Sequence, residues 1–105
     1  MNNYVTFVGS ISRRPSVIQF EDGSKVARFL VTTPKIYRKN DGKYVSRLDW
    51  HRIFAWGNMA SFIESNAEIG KKVAIHGRVV NRTFLDKKGK QQHSTEVELR
   101  QIIGL

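Results

Sequence analysis

Trp50, Arg52, Phe54 and Trp56 stand at alternate positions of one short run, and two other segments mix basic with aromatic residues. The first, Lys35 to Arg47, carries Lys35, Arg38, Lys39, Lys43 and Arg47 against a single acid, Asp41, with Tyr37 and Tyr44 interleaved. The second, Arg82 to Lys90, sets Arg82, Lys87, Lys88 and Lys90 against Asp86, with Phe84 among them. Basic side chains neutralise phosphates, and exposed rings offer faces on which unpaired bases stack, at roughly 1–3 kcal/mol per base. A duplex hides its base faces, so this mixture favours single strands. The competing account is a pair of solvated loops whose aromatics fold back onto the protein.

The histidines invite a catalytic reading, because a basic protein with several of them could cleave RNA. General acid–base chemistry needs two titrating groups converging on one phosphate. His51, His76 and His93 fall on three separate predicted segments, at spacings that match no metal or nucleophile motif. Asp49 is read as facing away from His51, so adjacency is not pairing. Nothing supplies a Ser-His-Asp set, a Gly-rich phosphate loop or a carboxylate cluster for Mg²⁺. The sequence therefore predicts no enzyme, no metal and no cofactor.

Composition points the same way. The 105 residues include 18 Lys+Arg and 9 Asp+Glu, a formal charge of +9. A field of that sign on one small domain suits a polyanion, either nucleic acid or an anionic membrane surface. Length predicts one domain over residues 1–105. There is no cysteine, which removes disulfides, zinc–thiolate sites and thiol nucleophiles, and suits a reducing cytoplasm. No apolar run approaches the ~20 residues that span a bilayer, so no membrane role is expected.

The elements that position these residues follow from periodicity. Val5 to Ile11 alternates, with Val5, Phe7 and Ile11 on one face, and predicts a strand. Glu21-Asp22-Gly23-Ser24 is a turn, and Val26 to Thr33 a second strand that Pro34 should stop. Lys35 to Ser46, with Asn40-Asp41-Gly42 at its centre, reads as a hairpin-like loop, and Leu48 to Trp56 as the third strand. A helix follows, with Asn58 as N-cap, an apolar stripe of Met59, Phe62 and Ile63, and Gly70 just past its end. Val73 to Val80 and Thr95 to Ile103 are the fourth and fifth strands, the last with Thr95, Val97 and Leu99 inward. Asp86 to Lys90 is an exposed hairpin tip between them.

The predicted fold is all-β: a five-stranded OB-fold barrel with one short helix between the third and fourth strands. An SH3-like barrel is the alternative, but it gives that helix no natural place. OB-folds bind oligonucleotides on the face of strands two and three. Trp50 is therefore read as a stacker, Trp56 as a stacker with core burial as its rival, and Phe54 as core. Arg28 and Arg52 are placed to reach phosphates from the same face.

Asp49-Trp50-His51-Arg52-Ile53-Phe54-Ala55-Trp56-Gly57 resembles the Glu-Trp-His-Arg strand of bacterial single-stranded DNA-binding proteins. Val5-Thr6-Phe7-Val8-Gly9, Pro15, Val26 to Phe29, Gly70, Gly77 and Asn81 to Asp86 fit the same family, so the likeness covers essentially the whole chain. It implies an OB-fold protein, usually a homotetramer, that wraps single-stranded DNA without reading sequence and acts in bacterial replication, recombination and repair. The implied stackers are Tyr37, Trp50, Trp56 and Phe84. The expected phosphate contacts are Arg28, Lys35, Arg38, Lys43, Arg52, Arg82, Lys87 and Lys88. His51 corresponds to a residue at the contact between subunits, in a tetramer or a dimer.

Some positions depart from the family pattern. Tyr37 and Phe84 stand where many members carry Trp, Trp56 where many carry Phe, and Tyr44 competes with Tyr37 for one role. Ile18-Gln19 replaces a common Arg-aromatic pair after Pro15. Members commonly continue into a linker and an acidic tip that recruits replication and repair proteins. This chain ends at Leu105, so partners recruited through such a tip are not expected. Two rival readings remain: a primosome-type OB dimer that mainly docks replication proteins, and an RNA-binding or RNA-cleaving OB protein.

Overall fold

In the computed structural model, which describes residues 3–104, one turn is used three times. Phe20–Ser24, Lys39–Lys43 and Asp86–Lys90 each close with the first residue's N–H on the fifth residue's carbonyl, at 2.8, 2.8 and 2.9 Å. Gly23, Gly42 and Gly89 hold the left-handed position, with φ of 90, 85 and 78°. A three-residue hairpin loop needs such a residue before the chain returns to the ladder. Asp22 and Asp41 each accept the backbone N–H two residues on, as does Asp86.

These turns join long strands. The order is β1 (Tyr4–Ile11), β2 (Ser16–Gln19), β3 (Lys25–Arg38), β4 (Tyr44–Trp56), α1 (Asn58–Asn66), β5 (Lys72–Leu85) and β6 (Gln91–Gly104). In the sheet the order is β1-β5-β6-β4-β3-β2, and β1 also pairs with β3 through Ser10 and Ile11, which closes a ring of five strands. All pairings are antiparallel except β4 with β6. The predicted strands correspond to β1, β3, β4, β5 and β6. The added β2 has four residues and turns only Val17 inward, too little alternation to register in the sequence.

The interior of the ring holds Ile11, Phe29, Val31, Ile53, Ile75, Val97 and Leu99, with Ala60 and Ile63 of α1 closing one end. Each large side chain so buried stabilises the fold by about 1.5–3 kcal/mol. At His76/Gly77 the β5–β6 register shifts by one residue. A Cβ on Gly77 would lie 2.5 Å from both the Glu98 carbonyl oxygen and a Val97 methyl, so only glycine allows this approach.

Several expectations need correction. Pro34 does not end its strand: β3 continues to Arg38, paired with β4 throughout. Beyond Thr33 that strand has β4 as its one partner, so every second N–H faces away from the ladder and a proline there removes nothing. The segments read as loops are therefore mostly ribbon, Thr33–Arg38 on Tyr44–Asp49 and Asn81–Leu85 on Gln91–Thr95. They stretch the molecule to 57 × 40 × 31 Å, with a radius of gyration of 15.9 Å against about 13 Å for a compact chain of this length. The cap of α1 is Gly57, at φ 63°, rather than Asn58, and no side chain caps the helix. The helix ends at Asn66, several residues before Gly70. Phe62 lies on its exposed side, and Thr95, on the face of Val97 but out on the ribbon, is exposed and bonds Asn81.

Candidate nucleic-acid interface

Directly paired strand residues share a face, so the register builds the outer surface row by row. One row runs Leu30, Arg52, Glu96, Val80; the next runs Arg28, Phe54, Glu98, Arg78. Stepping by two, Trp50 and Trp56 continue this face on β4, while Arg82 and Phe84 continue it up the β5–β6 ribbon. Trp50 is 59% exposed, Trp56 47% and Phe84 50%. The β4 register runs unbroken from Tyr44 to Trp56, so no bulge turns an aromatic inward. Phe54 accordingly belongs to the outer face and not the core, half-buried beneath the Arg28 guanidinium at 5.6 Å.

The β3–β4 ribbon divides its residues between two sides. Tyr37 falls on the side opposite Trp50, with Lys35 and Arg47, and the Arg47 guanidinium lies 6.0 Å from its ring. Arg38 and Tyr44 share the Trp50 side, and Tyr44 is 72% exposed. The ribbon thus carries an aromatic and basic groups on each side. Lys43, Lys87 and Lys88 are exposed at the two tips. The Asp86 carboxylate accepts backbone N–H groups from Lys90 and Lys88 and a side-chain N–H from Gln92. The Lys90 bond, followed by the Gln92 bond, holds Asp86 below the ordinary carboxylate value of 3.8.

Two contacts at this face had a sequence signal that periodicity overlooked. Phe20, beside the first turn, stacks on Trp56 with centroids 6.0 Å apart and rings 25° from parallel. Glu96, a charge within an apolar strand, is 5% exposed and bridges Arg28 through Oε1 and Arg82 through Oε2, the latter at 3.1 Å. Both of those arginines are expected phosphate ligands. Glu98, two residues on, likewise holds Arg78 and Arg100.

The histidines are apart and individually engaged. His51 is half-buried, 4.5 Å from Phe7 between centroids, and its Nε2 is 2.9 Å from the Thr33 hydroxyl. His76 pairs with Thr6 and stacks on Tyr4, and His93 pairs with Thr83. Asp49 lies on the same face as His51, contrary to the reading from adjacency, since residues two apart on a strand share a face. Among the described residues no group of three His, Cys, Asp or Glu side chains is placed to hold a metal, and no helix is long and apolar enough to cross a membrane.

A closed five-stranded ring with a helix between β4 and β5, carrying aromatic and basic side chains on its outer β3–β4 face, defines an OB-fold. The chain belongs to the single-strand binding protein family, whose model matches residues 2–104. It is 30% identical over 96 residues to single-stranded DNA-binding protein 1 of Chlorobaculum tepidum, covering 90% of this chain and 59% of that protein. It is 31% identical over 97 residues to the single-stranded DNA-binding protein of Bacteroides thetaiotaomicron, covering 90% and 60%. The chain thus spans about 60% of the length of these relatives. A Plasmodium falciparum SSB in complex with ssDNA superposes with a TM-score of 0.88 at 25% identity, over 98% of this chain and 94% of that one. The small single-stranded DNA-binding protein of Streptomyces coelicolor shares the fold, with a TM-score of 0.76 at 17% identity, over 98% and 94%.

Proposed function

We propose that this protein binds and protects single-stranded DNA without reading its sequence and without catalysis, in replication, recombination and repair. The observation that carries this reading is the outer face of β4, where Trp50 and Trp56 stand exposed with Arg52 between them. Bases stack on Trp50, Trp56 and Phe84, and on Tyr37 from the other side of the ribbon. Phosphates are met by Arg28, Arg52 and Arg82 on the face, and by Lys35, Arg38, Lys43, Lys87 and Lys88 along the ribbons. Such contacts use ring faces and charge, which every nucleotide offers alike.

The protein works as a homo-oligomer, a tetramer or a dimer, in the bacterial cytoplasm on nucleoid DNA. His51 belongs to the contact between subunits. Support for that placement is its position beside Phe7, where β1 parts from β3 after pairing only at Ser10 and Ile11.

Titration of tryptophan fluorescence with oligo-dT tests the binding. Quenching is expected, with duplex of the same length binding far more weakly at equal salt. Trp50→Ala is expected to weaken binding by roughly 1–3 kcal/mol. Equal affinity for duplex and single strand would refute the reading, and preference for matched RNA would redirect it to an RNA-binding protein.

A further inference from the structure

The turn between β1 and β2 carries Arg13 and Arg14, which no motif singled out. Both are exposed. With Ser16, Arg28, Arg52 and Glu96 they line a cleft of about 290 Å³ on the outer face. Arg13 also lines an adjoining cleft of about 470 Å³ with Leu30, Trp50, Arg52 and Thr95. The two clefts share Arg13, Leu30 and Arg52, so the cleft that Trp50 lines adjoins one lined by four arginines, Arg13, Arg14, Arg28 and Arg52.

The one carboxylate in the arginine cleft is already committed. Glu96 spends Oε1 on Arg28 and Oε2 on Arg82, and its own side chain is 6% exposed. Arg13, Arg14 and Arg52 have no carboxylate within ion-pair distance among the described residues. Guanidinium groups gathered without a counter-charge repel one another, and an anion entering between them removes that repulsion. Arginine also offers paired donors that match two oxygens of a phosphate.

We infer that Arg13 and Arg14 form, with Arg52, a phosphodiester subsite for the nucleotide whose base stacks on Trp50. The base occupies the Trp50 cleft and its phosphate the arginine cleft. Glu96 is a positioning residue there: it fixes Arg28 as a wall of the cleft beside the three arginines that have no carboxylate partner. This subsite rests on the proposed single-strand binding and assigns one of its phosphates to a turn outside the β3–β4 and β5–β6 ribbons.

The test is the salt dependence of oligo-dT binding, read by tryptophan quenching, for the wild type, Arg13→Ala, Arg14→Ala, their double variant, and a Lys71→Ala/Lys72→Ala control of equal charge loss. The double variant should remove about 0.7 from the slope of log K against log salt, the share of one phosphate, and each single variant no more than that. The control should keep the wild-type slope, and the double variant should reach the wild-type quench at saturation because Trp50 is untouched. A double variant with the wild-type slope, or a control losing as much, would overturn the subsite while single-strand binding stands. A wild type that does not bind oligo-dT would overturn both.

Discussion

Glu96 shows how one side chain governs charge at this interface. A carboxylate as buried as this one is tolerable only with both oxygens paired, and its two arginines are themselves about half exposed. Glu96→Gln keeps the shape and removes the charge. The expected cost is about 1–3 kcal/mol in stability, measurable by urea denaturation, because charge-assisted bonds become weak ones. The same variant should bind oligo-dT with a steeper salt dependence, since Arg28 and Arg82 then meet phosphates without a competing carboxylate. A stability loss with an unchanged slope would show that both arginines already reach DNA while paired. Asp86 makes a second prediction at this scale. Its folded pKa lies below the ordinary 3.8, so its contribution is present above that value and is lost as pH falls through the lower folded value. Exchange of the Lys90 amide, or its chemical shift, should report a transition beginning below pH 3.8, abolished in Asp86→Ala.

The two ribbons owe their direction to their turns and to one bulge. Each tip is closed by a glycine with positive φ and an aspartate bonded to the backbone, and no ion pair among the described residues holds Lys43, Lys87 or Lys88. At the root of the β5–β6 ribbon, the shift at Gly77 turns Val80, Arg82 and Phe84 onto the face of Arg52. Gly77→Ala places a methyl against the Glu98 carbonyl, which is backbone and has little room to yield. A loss of about 1–3 kcal/mol is expected on thermal or urea unfolding, as for other overpacked sites. If the ribbon also changes its twist, Phe84 leaves the Trp50 face, and oligo-dT affinity falls beyond what reduced stability explains. A variant with wild-type stability would mean that the two strands separate at the bulge without cost.

For the molecule as a whole, the formal charge of +9 becomes a distribution. Ion pairs hold Arg28, Arg82, Arg78, Arg100 and Lys25, whereas the other basic groups of the ribbons and those of the Arg13–Arg14 turn are unpaired among the described residues. Binding to a long poly-dT should therefore be strongly salt-dependent, with a log–log slope of about −0.7 for each phosphate neutralised. The slope should rise with oligonucleotide length until the strand has crossed both ribbons and then level off. A slope already constant for strands of a few nucleotides would confine binding to the Trp50 face. Mass measurement of the free protein, alongside the site size, checks the proposed homo-oligomer: a monomer in solution would overturn it.

Much of this was legible in the sequence, for a physical reason. Period-two alternation named the strands and put Trp50, Arg52 and Trp56 on one face, because a pleated strand leaves no other arrangement. Glycine and aspartate marked the turns because few residues tolerate their geometry. The same patterns failed where a neighbour decides. Pro34 is harmless only because its strand has a single partner at that point. Phe54 is covered by Arg28 rather than by the core, and β2 exists only because β3 offers it an edge. Above all, no local signal brings Arg13, Arg52 and Glu96 together, since they belong to a turn and two strands far apart in the chain. Alternation alone settles which residues share a strand face and what chemistry that face carries. The tertiary structure decided which of those charges cancel and which remain for a ligand, because pairing depends on register between strands and not on order within one.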